Sequence, residues 1–320
     1  MKKLSIIIPV YYNENNLKPL YQDLKDKLIS DTDIEFEIIM VDDGSGDQSW
    51  SVIKELALQD KRIKAIHLSR NFGSHSAILC GLSACTGDCA VIKAADLQEP
   101  TEIIREMYQS WLSGNNVVLA CRSGRNESQS VKFFANSYYW MVRKFILPQM
   151  PPGGFDIFLI DRKVIEVLER MDEKDSAITG QILWSGFRTG IVYYTRQART
   201  IGKSRWTFKK KIRLVSNTMY SFSSLPITIV TIVGTISVLT AIIWGIIALI
   251  AKLAGKIPVT GWTSSFIFQI FGFGMIMITL GIIGGYLWRI FDAARKRPTY
   301  IIEDQFNSDT PQSETMKKEE

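Results

Sequence analysis

A chain of 320 residues with 46% hydrophobic and 22% charged side chains is long enough for a full α/β domain plus a second, less soluble part. Its formal charge of +6 would suit nucleic acid, but the basic residues gather beside apolar segments, at Lys209–Arg213 and Arg295–Arg297, which favours anionic lipid headgroups or phosphates and argues against a nucleic-acid partner. The four cysteines, Cys80, Cys85, Cys89 and Cys121, have neither metal-ligand spacing nor the density of a disulfide scaffold, so they read as buried reduced thiols and no zinc site is expected.

The N-terminal M-K-K-L-S-I-I-I-P-V superficially resembles the start of a signal peptide, but its apolar run is short and breaks at Pro9 before polar sequence, so it reads as a first β-strand. Further β-branched runs follow at F-E-I-I-M-V, I-K-A-I-H-L, C-A-V-I-K-A and N-V-V-L-A-C, with helix-length amphipathic segments between most of them. This alternation predicts a doubly wound, mainly parallel sheet with helices on both faces. In such folds ligands bind at the carboxyl ends of the strands. Those ends carry Y-Y-N-E, D-D-G-S-G-D, S-R-N-F-G, A-A-D-L-Q-E and R-S-G-R, a concentration of polar and acidic residues. Neither G-x-G-x-x-G after the first strand nor a G-x-x-x-x-G-K-[ST] motif is present, which argues against hydride transfer and P-loop hydrolysis.

The segment S-V-K-F-F-A-N-S-Y-Y-W-M-V-R-K-F-I-L spaces bulky side chains at helical intervals among Lys132, Arg143 and Lys144; it suits a helix lying on lipid headgroups and equally a helix packed on the core. From Ser224 no charge occurs until Lys252, and a second apolar stretch runs from Thr263 to Trp288. At about 1.5 Å per residue each can cross a hydrocarbon core of roughly 30 Å. The predicted layout is a domain over 1–212, an interfacial helix over 213–224, transmembrane helices over 225–252 and 263–291, and a disordered tail over 304–320. Basic residues are denser outside the hairpin than in its loop, which places both termini in the cytoplasm.

Taken together, I-I-I-P-V-Y-Y-N-E, V-D-D-G-S-G-D, L-S-R-N-F-G, A-D-L-Q-E-P and F-D-I-F-L-I-D-R resemble, in order and spacing, the family 2 inverting glycosyltransferases, in particular the polyprenyl-phosphate subgroup that includes the bactoprenol glucosyltransferases and dolichol-phosphate mannose synthases. The likeness covers nearly the whole chain, the C-terminal hairpin included. It implies a nucleotide-sugar-binding fold of the glycosyltransferase A type and transfer of a hexose from a nucleotide sugar, UDP-glucose above others, to undecaprenyl phosphate, with inversion, at a bacterial inner membrane. The product would serve the modification of cell-surface polysaccharide. A chain-extending polysaccharide synthase is disfavoured by the absence of Q-x-x-R-W, and an inactive, donor-binding membrane subunit is the other alternative. The oligomeric state is not written in any motif, and a homo-oligomer is compatible with the sequence.

The residues fit that resemblance in chemical terms. Pro9, Tyr11 and Glu14 offer stacking area and a carboxylate to the donor, and Gly44 and Gly46 permit a tight turn that leaves Asp42 or Asp43 to accept from base or ribose. The family's D-A-D-L-Q stretch reads A-A-D-L-Q here, so Ala94 replaces the outer carboxylate and the resemblance assigns Mg2+ or Mn2+ to Asp96 and Gln98. A metal that uses only one or two protein carboxylates plus substrate phosphates tolerates that loss. Lys93, on the opposite face of a continuing strand, is not expected to reach the diphosphate.

A polyprenyl phosphate is already ionised near neutral pH, its second pKa being about 6, so a strong base is not required. The resemblance assigns the catalytic-base position to Asp156. Asp161 reads instead as the start of a helix, and Phe158 stands where the family usually has Arg. Arg122, Lys132 and Arg205 are the candidates to offset repulsion between the lipid phosphate and the diphosphate.

Overall fold

The computed structural model describes residues 2–29, 34–123, 139–144, 146–155, 157–171, 177–196, 219–223, 225–254 and 262–307. The chain divides into two compact units, one made of Met1–Lys211 with Pro298–Glu320, the other of Ile212–Arg297.

The first unit is built on one eight-stranded sheet of order β7-β5-β6-β4-β1-β2-β3-β8. Its strands are β1 (Lys3–Val10), β2 (Glu35–Asp42), β3 (Ile63–Leu68), β4 (Cys89–Ile92), β5 (Val117–Arg122), β6 (Ile157–Asp161), β7 (Thr189–Tyr194) and β8 (Ile302–Phe306). The helices are α1 (Glu14–Leu24, continued by a π turn over Lys25–Ile29), α2 (Ser49–Gln59), α3 (Ser74–Ala84), α4 (Ile103–Leu112), α5 (Arg162–Arg170) and α6 (Ile178–Trp184). Period-2 alternation sorts the central strands. Leu4, Ile6, Ile8 and Val10 join the core formed with Leu17 and Leu20 of α1, Ile53 of α2 and Met107 and Trp111 of α4. Ile7, on the opposite face, packs so closely on α3 that a Cβ on Gly81 would stand 2.4 Å from its Cγ2. Helices on both faces bury β1 and β2 almost completely, which is why these strands are continuous apolar runs.

The sheet is mainly parallel, with two exceptions. β6 runs antiparallel to both of its neighbours, β4 and β5, and β8 runs antiparallel to β3. β8 also corrects the expectation of a disordered tail from residue 304: Asp304, Gln305 and Phe306 pair with β3, and Asn307 donates to Ala57 O and Ile63 O. Hydropathy misses this strand because backbone hydrogen bonds to an edge, rather than apolar burial of every second residue, hold it. Residues 308–320 lie outside the described residues.

Val142 is fully buried in the helical stretch 139–144, with Ile146 and Leu147 nearly so just beyond it, while Trp140 stays half exposed. The described part of this aromatic segment thus buries one side against protein. Of the interfacial helix expected over 213–224, only 219–223 is described, with 219–222 helical.

The second unit contains α7 (Leu225–Leu253) and α8 (Trp262–Ala294), within which the two apolar stretches of the sequence fall. Both are long and apolar enough to cross a membrane. Tyr286 near the end of α8 donates to Ser223 O just ahead of α7, so the helices run antiparallel. Large apolar side chains such as Trp244, Phe273 and Ile290 are more than half exposed. Thr231, Thr235, Ser237, Thr240 and Thr279 each donate their hydroxyl to the carbonyl four residues earlier, which satisfies them within their own helix as an apolar solvent demands.

Candidate active site

The carboxyl ends of β1, β2, β3 and β4 lie at one edge of the sheet, and the acidic loops emerge there in succession. Pro9 shapes the first of them. Its missing N–H faces β4, but the pairing of β1 with β4 ends at Ile7 with Ile92, so no ladder bond is lost. Lys93 N still donates to Ile7 O, and from there the chain leaves the sheet. β4 therefore stops at Ile92, shorter than the run C-A-V-I-K-A suggested.

The loop that follows is closed on itself. Glu99, nearly buried, accepts Ala94 N through Oε2 at 3.1 Å, and the fully buried Lys93 donates to the Glu99 carbonyl oxygen. Burial pushes the Lys93 ammonium below its ordinary pKa, opposed by the carboxylates of Glu99, Asp23 and Asp96. Lys93 thus points into the protein. Its place under the loop, rather than alternation along a continuing strand, keeps it from the site. Asp96 accepts Gln98 N at 3.3 Å, Leu97 between them has a φ of 57°, and Gln98 Oε1 accepts from Arg196.

At the end of β2, Gly44 has a φ of 63°, and a Cβ there would meet the Arg70 carbonyl carbon at 2.4 Å, so only glycine turns the chain here. A Cβ on Gly46 would stand 2.7 Å from the Tyr12 hydroxyl, so the second glycine admits that ring rather than a strained backbone. Asp42 is fully buried and accepts from Ser45 N, Ser45 Oγ and His67 Nδ1, the last at 2.7 Å. Asp43 accepts Phe72 N at 2.7 Å, Gly73 N at 2.9 Å and Asn71 Nδ2 at 3.0 Å. Burial pushes the Asp43 carboxyl up to about 6, with the Asp42 charge adding to it and the backbone donors of Phe72 and Gly73 opposing. The S-R-N-F-G loop is thereby explained as the clamp on Asp43; a glycine closing a polar turn after a strand, Gly73 with φ 100°, was its only local signal.

Glu14 accepts Gln48 N at 2.8 Å, linking the start of α1 to the residue that precedes α2. Tyr12 has a φ of 54° and donates its N–H to Ser45 Oγ at 2.9 Å, and the Tyr11 ring meets the Tyr12 ring edge-on at 4.8 Å. Backbone strain of this kind in non-glycine residues clusters at functional loops. Tyr12 and Leu97 sit in the loops after β1 and β4.

Asp42 and the loop of Asp96 issue from strands separated by β1 alone, a distance of about 10 Å at ordinary strand spacing, which suits the two ends of a nucleoside diphosphate. Arg122 ends β5 and is partly buried. Asp156, Lys132 and Arg205 lie outside the described residues. β6 begins at Ile157, which pairs with Ala120, so its start stands beside the end of β5. Phe158 is buried in the sheet. Asp161 is the N-cap of α5, accepting Lys163 N, and also accepts Trp111 Nε1 at 2.8 Å. Among the described residues no cluster of three or more His, Cys, Asp or Glu could hold a metal by itself. His67, Trp50 and Arg196 were missed by the sequence reading, because none belongs to a recognisable motif, and Glu99, inside the A-D-L-Q-E-P stretch, was given no role there.

A three-layer α/β fold with acidic loops gathered at the carboxyl edge of its parallel strands is that of an α/β ligand-binding domain, and the match to known proteins is specific. The description "Glycosyl transferase family 2" fits residues 5–226, and the chain belongs to that family and is a glycosyltransferase. It is 34% identical over 303 residues to the uncharacterized glycosyltransferase YkcC of Bacillus subtilis, covering 94% of each chain. It is also 30% identical over 304 residues to the bactoprenol glucosyl transferase of Shigella phage SfV, covering 95% of this chain and 99% of that one. Among solved structures, a mannosyltransferase of Pyrobaculum calidifontis superposes over 87% of each chain at 14% identity with a TM-score of 0.46, a likeness too distant to bear on the site.

Proposed function

We propose that this glycosyltransferase moves one hexose from a nucleotide sugar, UDP-glucose being the first donor to test, to a polyprenyl phosphate such as undecaprenyl phosphate, with inversion at the anomeric carbon. The observation that carries the reading is the end-to-end match to a bactoprenol glucosyl transferase, which runs through the sheet domain and the pair of apolar helices alike. The apolar helices would anchor the chain in a bacterial inner membrane with the catalytic unit and both termini in the cytoplasm, in keeping with the basic residues that flank them. The lipid-linked sugar would serve the modification of surface polysaccharide.

The roles follow from chemistry. Tyr11, Pro9 and Glu14 would receive the base and ribose, beside the turn that the buried Asp42 and Asp43 hold in shape. Asp96 supplies a carboxylate, a hard ligand that suits Mg2+ or Mn2+, and Gln98 an amide oxygen that would join it on release from Arg196. Asp96 and Gln98 would hold such an ion together with the donor diphosphate. When bound, it would neutralise charge developing on the leaving nucleoside diphosphate. Asp156 would orient the lipid phosphate oxygen for attack. Arg122, Lys132 and Arg205 would offset the repulsion between two anionic reactants.

Purified full-length chain in detergent, given undecaprenyl phosphate and a panel of radiolabelled UDP and GDP sugars, should yield one labelled, solvent-extractable lipid. No lipid product with any donor, with or without Mg2+ or Mn2+, would overturn the reading and leave an inactive binding subunit in its place.

A further inference from the structure

We propose that His67 is a positioning residue for donor binding, and that the last strand of the chain, β8, paired with the strand of His67, helps to set its place. The inference rests on the reading of the turn that Asp42 anchors as part of the donor site.

Asp42 and His67 are register partners on neighbouring parallel strands and point to the same face of the sheet, the one covered by α2. A carboxylate with no exposure needs its lone pairs filled. Ser45 serves it from its own turn, three residues further along the chain. His67 Nδ1, donating at 2.7 Å from a strand, supplies the partner fixed to the rigid sheet. The imidazole in turn has little freedom: its ring stacks on Trp50 of α2, centroids 5.1 Å apart and planes 22° from parallel.

On the other side of the ring lies β8. His67 Nε2 stands 3.6 Å from Glu303 Oε2, and His67 pairs with Asp304 just where the register between β3 and β8 shifts. β8 is pinned at both ends, by Ser69 N donating to Ile301 O at 3.0 Å and by Asn307 donating to Ala57 O at 2.8 Å. The imidazole is therefore bonded to the Asp42 carboxylate on one edge and flanked on the other by a strand that follows α8 after only residues 295–301. The partner of the Asp42 carboxylate is thus flanked by a part of the chain that lies beyond both apolar helices in sequence. This gives β8 a task other than closing a sheet edge.

The test uses full-length protein in detergent, with UDP-glucose and GDP-mannose as probes and the one that wild type binds carried forward. Dissociation constant, kcat and thermal midpoint are measured for each variant. His67→Ala should raise the dissociation constant about tenfold, the cost of losing a charge-assisted hydrogen bond, while kcat at saturating donor changes less than about twofold. His67→Asn, which can return an N–H to the place of Nδ1, should restore binding to within about threefold of wild type. Asn307→Asp, which removes the amide donor that pins the end of β8 to Ala57 O and Ile63 O, should weaken binding about two- to threefold. Unchanged dissociation constants in His67→Ala and Asn307→Asp, with only the thermal midpoint lowered, would overturn the inference and leave a structural role. Should His67→Ala not fold, His67→Asn and Asn307→Asp still decide. Asp42→Asn separates the two levels: if it weakens binding while the His67 and Asn307 variants do not, this inference alone fails, and if it too binds like wild type, the reading of that turn as part of the donor site falls with it.

Discussion

Arg196, two residues beyond β7, donates from Nη2 to the side-chain oxygen of Gln98, so the segment after β7 and the loop after β4 meet across the two intervening strands, β5 and β6. The contact puts a guanidinium beside the proposed metal loop. A guanidinium there can stabilise the diphosphate as its charge grows. Arg196→Ala is expected to raise KM for the nucleotide sugar about five- to tenfold and to lower kcat, and Arg196→Lys to recover only part of the loss. Steady-state kinetics with donor varied at saturating lipid would check it.

Ala94 offers the complementary experiment. It lies in the same loop as Asp96, two residues before it, with its N–H held by Glu99. Ala94→Asp should lower the Mg2+ concentration needed for half-maximal activity by about tenfold, because a second carboxylate adds a ligand of opposite charge. Asp96→Ala should remove activity by more than about a hundredfold at any metal concentration. A metal titration of both variants reads each outcome directly.

The same loop depends on what lies beneath it. Lys93 is fully buried and donates to Glu99 O, and Glu99 in turn accepts Ala94 N. Lys93→Ala would leave a buried carbonyl without that donor and open a cavity, at a cost of about 2–4 kcal/mol. The thermal midpoint should fall, and kcat should fall with it because the loop of Asp96 loses its support. Circular dichroism melting alongside turnover would test the pairing of the two effects.

At the opposite edge of the sheet, Glu37 joins β2 to the turn before β4. It accepts from Ser5 Oγ, Thr86 N, Thr86 Oγ1 and Gly87 N, and Lys3 and Lys64 lie 3.2 and 3.1 Å from it. Burial alone would push its carboxyl up, but the donors from Ser5 and Thr86 and the Lys64 ammonium outweigh it and hold the pKa at about 2. The folded value lies below the ordinary 4.5, so the carboxylate stabilises the fold fully above pH 4.5 and loses that contribution as pH falls from there toward 2. Glu37→Gln should flatten the part of the stability profile that lies between those values and cost about 2–4 kcal/mol at neutral pH. Unfolding midpoints measured from pH 3 to pH 7 for both proteins would show it.

Asp43 supplies the opposite sign at the site itself. Its folded pKa, about 6, is above the ordinary 3.8, so the native state retains a proton that the unfolded chain has released. Stability attributable to Asp43 is therefore greatest below pH 3.8 and declines as pH rises through 6. Asp43→Asn should remove that decline, detectable as a smaller loss of thermal midpoint between pH 4 and pH 6.

How much of this was legible beforehand depends on the range over which each feature is encoded. The strands around Ile6–Ile8, Ile38–Met40 and Val117–Ala120 and the helices Leu225–Leu253 and Trp262–Ala294 are written in local runs of side chains. A buried strand or an apolar helix needs nothing else to be recognised. The polar loops that end the parallel strands were legible for the same reason, and so was Asp161 as a cap beside its own helix.

The partners of the acidic residues were not. His67 with Asp42, Asn71 and Gly73 with Asp43, and Arg196 with Gln98 are contacts between loops and strands distant in sequence, and no short window contains both members. β8 was hidden for another reason: Glu303, Asp304 and Gln305 lack an apolar pattern because an edge strand is held by its backbone ladder, which every residue type can make. Composition and periodicity, acting over a few residues, determined which segments become strands, helices and acidic turns. Only the tertiary structure decided which side chains those turns would meet, since hydrogen-bond geometry exists only once the sheet has brought its edges together.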